Sequence, residues 1–136
     1  MFGFLDIFGG SKRRSALQLL DRTLSALEVN PAYIDDGMRF AIFRWAQEAA
    51  AGTASESGVM DALMRRAAEL ISFCVIGPAE TEAQWGPDAR AEREARFNAV
   101  VDGGEDETFD AKLIKLVLAK DIAAPDVRAM VSLERD

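Results

Sequence analysis

The residue types that perform most hydrolytic and metal chemistry are scarce in this chain. It holds no histidine and a single cysteine, Cys74. That removes Ser-His-Asp and Cys-His hydrolysis, histidine general-base catalysis, histidine-ligated zinc and the Glu-x-x-His pairs of di-iron proteins. Any catalysis would have to rest on carboxylates, lysine, Tyr33, hydroxyls or the one thiol. Asp35, Asp36, Glu48, Glu69, Glu80 and Glu82 form the pool from which a Mg²⁺ site could be drawn. Asp35 and Asp36 are adjacent and so point about 100° apart on a helix, and no clear set of acids three or four apart on facing helices stands out.

The acidic run Asp102-Gly103-Gly104-Glu105-Asp106-Glu107-Thr108-Phe109-Asp110 invites a calcium reading, which fails in detail. Counted from Asp102, the third position is Gly104, the sixth is Glu107 and the twelfth is Leu113, where an EF-hand loop needs an oxygen ligand, a glycine and a glutamate. The run reads instead as a solvated loop whose acids favour the start of the next helix. Cys74 sits among Phe73, Val75 and Ile76 at an apolar helix C-terminus, a setting that disfavours a thiolate and fits a small buried hydrophobe. There is no Gly-x-x-x-x-Gly-Lys-[Ser/Thr] or Gly-x-Gly-x-x-Gly pattern to cradle a phosphate. No catalytic residue, cofactor or metal is assigned from these patterns.

What remains is apolar surface. Met1-Phe2-Gly3-Phe4-Leu5-Asp6-Ile7-Phe8 is nearly all apolar, Gly9-Gly10 follows as a joint, and Lys12-Arg13-Arg14 comes next. If helical, Met1, Phe4, Leu5 and Phe8 share one face. An apolar tip beside a basic run is compatible with an anionic lipid surface, although eight residues interrupted by Asp6 make a poor independent anchor. The tip is expected to pack as a lid on Phe40, Phe43 and the Phe73 region, in its own subunit or a neighbour's. Trp85, in a Gly/Pro-bounded connector, either caps the core or joins a recognition surface, as tryptophan does at interaction hot spots. Phe2, Phe4, Leu5, Phe8, Phe40, Phe43 and Trp85 are therefore the candidate interaction residues.

Composition bounds the object that carries them. At 136 residues, 49% hydrophobic and 29% charged, the chain fits one ordinary domain. Residues 1–12 form the tip and joint and residues 13–136 a helical domain. The net charge of −7 and the scattered basic residues oppose a nucleic-acid partner. No secretory signal and no apolar stretch of membrane-spanning length is evident, so a cytoplasmic location is expected.

The elements follow from periodicity. Leu17, Leu20, Leu24 and Leu27 mark a helix over 15–28, ended by Asn30-Pro31. Ile34, Met38, Ala41, Ile42 and Trp45 mark a second over 32–51, with Phe40 and Phe43 off that face. A third runs over 59–76, capped by Ser55 or Ser57 and stopped at Gly77-Pro78; residues 78–87 read as a connector with one short helical turn. A fourth spans 87–101, its Arg90, Glu92, Arg93, Glu94, Arg96 stretch solvated; a fifth spans 108–120, and a short last helix opens at Pro125. The expected fold is a compact all-α bundle of five to six helices in which the second, third and fifth form the core. Two-sided apolar helices in so small a chain leave surplus surface. The expected function is accordingly a non-catalytic interaction or adaptor module that forms a homodimer, with room for another protein partner. A carboxylate and Mg²⁺ dependent enzyme, or a peripheral membrane protein using the tip, are the alternatives.

Overall fold

In the computed structural model the backbone is described for residues 2–103 and 107–135, and side chains for residues 12–103 and 107–131. The described residues form an all-α fold of seven helices: α1 (Phe2–Ala26), α2 (Asp36–Ala50), α3 (Glu56–Ile76), α4 (Pro78–Trp85), α5 (Pro87–Gly103), α6 (Phe109–Ala119) and α7 (Pro125–Arg135). The expected count of five to six falls short, and in place of the plain compact bundle expected the helices pack about one central helix. They are gathered round α3, which touches α1, α2, α4, α5 and α6. Its residues Met64, Ala67, Ala68, Leu70, Ile71, Phe73 and Cys74 are buried, as expected of a helix apolar nearly all round.

The chain breaks where local chemistry stops each helix. α1 ends at a Schellman motif: Glu28 adopts φ 66°, its amide donates to the Ser25 carbonyl at 3.1 Å, and the Val29 amide donates to the Leu24 carbonyl at 2.9 Å. Leu24 and Val29 are both buried, the apolar contact that accompanies this motif. Asn30 then caps a 3₁₀ turn, Pro31–Tyr33, so α2 starts four residues later than expected, where Asp35 Oδ1 accepts from the Met38 amide at 2.8 Å. Arg39 ties the turn down. Its Nε donates to Asp21 Oδ1 at 3.1 Å, and its guanidinium donates to the carbonyls of Pro31 and Ile34.

Two expectations about the chain's organisation are corrected. The 78–87 connector is a full helix, α4, because Gly77 at φ 90° turns the chain, Pro78 occupies the first helical position and Gly86 at φ 95° ends it. A Cβ on Gly77 would also lie 2.6 Å from Asp126 Oδ1, so α7 approaches the α3–α4 corner at a distance only glycine permits. The first helix, left outside the expected core of the second, third and fifth, belongs to it: Leu20 and Leu24 are fully buried, and α1 makes the most extensive contact with α3. The α1 backbone is also helical through Gly9 and Gly10, where a joint is expected from the sequence.

α1 and α3 run parallel in a fixed register. Ser72 Oγ donates to the Leu27 carbonyl at 3.1 Å across a separation of 45 residues. The same offset relates Lys12 to Ser57, Ser15 to Met60 and Ala16 to Asp61, all of which line one cavity.

Candidate functional site

That cavity, about 250 Å³, opens where the middle of α1 meets the C-terminal end of α2 and the N-terminal end of α3. Ala16, Phe43, Ala50 and Met60 supply its apolar wall, and Lys12, Gln47, Glu56 and Asp61 its charged and polar rim. Phe43 is half-buried against the core. Phe40, one turn earlier on α2, remains 49% exposed, and the Arg13 guanidinium lies 5.1 Å from its ring centroid. Such a cation–π contact at an exposed site is worth about 0.5–1 kcal/mol, too little to explain why so large an apolar ring stands in water. Tyr33 is the other large exposed hydrophobic among the described residues.

The sequence-derived candidates therefore divide. Phe43 lines the cavity with Lys12, and Phe40, three residues earlier on α2, meets the adjacent Arg13. Trp85 does not join them: it is half-buried at the last position of α4. The side chains of Phe2, Phe4, Leu5 and Phe8, and with them the lid contact expected of the tip, lie outside the described residues. Phe73 needs no cover. It is fully buried, its ring 5.9 Å from that of Phe97 at an interplanar angle of 52°, a tilted aromatic pair inside the core.

A charged cluster that no local pattern in the sequence announces joins α3, α5 and α6. Asp110, in the first turn of α6, receives Arg66 Nε and Nη2 at 3.2 and 2.8 Å and Arg96 Nε and Nη2 at 3.2 and 3.1 Å. Two guanidinium forks thus grip one carboxylate. Arg96 Nη2 also donates to the Arg66 carbonyl, and Glu69 lies 3.5 Å from Arg96 and 3.6 Å from Arg93. Arg93 and Arg96 come from the mixed-sign stretch expected to be solvated, yet both side chains are about 9% exposed. The spacing 93–96 carries the only sequence signal, since it puts both arginines on one face of α5. Burial pushes the Asp110 carboxyl up, but the hydrogen bonds from Arg66 and Arg96 outweigh it and hold the group below the usual carboxylate range.

The groove beside this cluster is lined by Arg66, Arg96, Val100, Thr108, Phe109 and Asp110. Arg66, Arg93 and Arg96 are balanced by Asp110, Glu69 and Glu92, the last 3.9 Å from Arg96, so the arrangement joins α3, α5 and α6 and leaves no charge surplus for a ligand. The other acids are similarly dispersed. Asp35 caps α2 and pairs with Lys120 at 3.1 Å; Glu82 faces Arg90 at 3.6 Å; Glu80 accepts from Gln84. Among the described residues no group of three or more Cys, Asp or Glu lies close enough to hold a metal ion, and no helix is long and apolar enough to cross a membrane. Cys74 is buried, and desolvation pushes its thiol up to about 12, against the opposing pull of Arg96. No protein-family model matches the chain, and no match is found among curated proteins or solved structures.

Proposed function

We propose that this protein acts by contact rather than catalysis, as a small helical interaction module that self-associates through the surface where α1, α2 and α3 meet. The observation that carries the reading is Phe40, half exposed on α2 beside a cavity walled by Phe43 and Met60. Large apolar groups grouped at an opening in an otherwise polar surface mark an interface more often than a defect of packing. The absence of histidine from the sequence and the suppressed ionisation of the one thiol favour the same reading over an acid–base or nucleophilic enzyme. Changing Phe4→Asp and Phe8→Asp together should dissociate the dimer in light scattering. A dimer of unchanged stability after that double change, with Phe40→Asp also without effect, would contradict the proposed surface.

A second reading has its own support. Lys12, Arg13 and Arg14 are exposed on a helix whose sequence just upstream is apolar, the combination that binds anionic lipid. Flotation with vesicles rich in phosphatidylserine tests it, and retention of the protein in the soluble fraction excludes it.

A further inference from the structure

The α1–α3 register tells which chain can fill the cavity. With the offset of 45 residues, Glu56, the first residue of α3, stands level with position 11 of α1. The α1 backbone is helical from Phe2, so positions 2–10 run past the start of α3 by about 14 Å at 1.5 Å per residue. α2 stops at Ala50 on the cavity wall, and the segment 51–58 that closes this end is exposed throughout. An unbroken helix carries its early residues away from its own cavity at Lys12, Ser15 and Ala16. Positions 1, 4, 5 and 8, apolar in sequence, continue the same three-and-four spacing. Along that backbone positions 4 and 5 stand about 10–18 Å from the levels of Lys12, Ser15 and Ala16, so on a continuous helix they do not return to the cavity of their own chain, and position 8 stands one turn before Lys12.

We propose that residues 4, 5 and 8 of a second copy occupy the cavity, in a two-fold antiparallel pairing of the α1 helices. This rests on the self-association proposed above and names its occupant. In that pairing position 8 of one copy stands level with position 12 of the other, and position 5 with position 15. Each copy contributes one stripe and one cavity, the self-complementarity that a closed two-fold interface requires. Charge agrees with the pairing. Lys12 of one copy comes within one turn of the level of Glu56 of the other, twice by symmetry, which offsets part of the repulsion between two chains of net charge −7. A cavity of about 250 Å³ is smaller than the ~300–1,000 Å³ of drug-sized ligand pockets, and it suits a few side chains better than a free metabolite.

The test is a cross-link between differently tagged chains. Phe8→Cys in one chain and Ser57→Cys in the other, mixed and treated with a short bis-maleimide, should give a product of summed mass; the buried Cys74 thiol gives the unmodified chains no such product. Ser57 is exposed, so its replacement leaves the core intact, and adding Phe43→Asp to the Ser57→Cys chain should lower the yield at least tenfold. If light scattering reports a dimer and no cross-link forms, the inference fails while self-association stands; a monomer overturns both. An intrachain product in the Phe8→Cys, Ser57→Cys double variant at high dilution would assign the cavity to the chain's own tip and overturn the pairing. So would a loss of the cross-link on binding to phosphatidylserine vesicles, which would give residues 1–8 to the membrane.

Discussion

Arg96 and Asp110 hold one another in a paired fork, Nη2 to Oδ1 at 3.1 Å and Nε to Oδ2 at 3.2 Å, with both side chains about one-tenth exposed. Because Arg66 grips the same carboxylate from α3, the pair closes α5 and α6 onto the central helix. Asp110→Asn leaves two guanidinium groups facing a neutral amide. Breaking a buried pair costs ~3–5 kcal/mol, and since Arg66 is half exposed the expected loss is about 2–3 kcal/mol after solvent screening. Urea unfolding of the variant checks it.

The same carboxylate sets an acid limit. Its folded-state value is depressed, so its contribution is complete above the unfolded value of ~3.9 and is lost as pH falls from there through the folded value. Stability against pH should therefore decline more steeply below about pH 4 in the parent than in Asp110→Asn, for which that component of the slope disappears.

Arg93 behaves differently although it belongs to the same cluster. Among the described residues its Nε and Nη1 are buried without a hydrogen-bond partner, and its ionic neighbour there, Glu69, also faces Arg96. Replacing an under-satisfied buried charge by an apolar side chain of similar length is often neutral or favourable. Arg93→Met should change stability by less than about 1 kcal/mol or raise it, whereas Arg96→Met should cost about 2 kcal/mol. Equal losses at the two positions, measured by thermal unfolding, would refute this division of roles.

These contrasts show what the sequence discloses and what it does not. Leu20, Leu24, Met38, Ile42, Leu70 and Ile71 announce themselves by spacing, and all are buried. The all-α class and the centrality of residues 59–76 follow from that periodicity. Arg93 and Arg96 look solvated because a run of mixed charges has the same pattern whether its arginines face water or meet Glu69 and Asp110 from other helices. Asp110 lies 44 residues from Arg66, a separation for which local pattern carries no information. α4 was hidden because Pro78 and Gly86, its opening and closing residues, are also the residues of turns. For Phe40 and Phe43 the sequence showed that both leave the main apolar face of α2, and only packing separates the exposed ring from the half-buried one.

Glu28 offers a stabilising change. It is exposed and holds φ 66° at the Schellman position, a conformation that costs a residue with a Cβ about 1–2 kcal/mol. Glycine relieves that strain but loses about 0.5–1 kcal/mol of chain entropy. Glu28→Gly should thus raise stability by about 0.5–1 kcal/mol, visible as an increase in Tm.

Cys74 should be silent in the native protein. With its thiol pushed up to about 12, the thiolate fraction at neutral pH is at least roughly a thousandfold below that of a free cysteine of pKa ~8.5. Aromatic disulfide reagents should react with it only at the rate of unfolding, and addition of urea should restore full reactivity. Rapid native labelling would contradict the burial described.

In the proposed dimer a second copy of the chain covers the α1–α2–α3 surface around Phe40 and Phe43. Multi-angle light scattering of the full chain at micromolar concentration tests it most directly. The expected result is twice the 14.8 kDa chain mass, falling to the single-chain mass when Phe43→Asp is introduced. A single-chain mass for the unmodified protein across the micromolar range would contradict it.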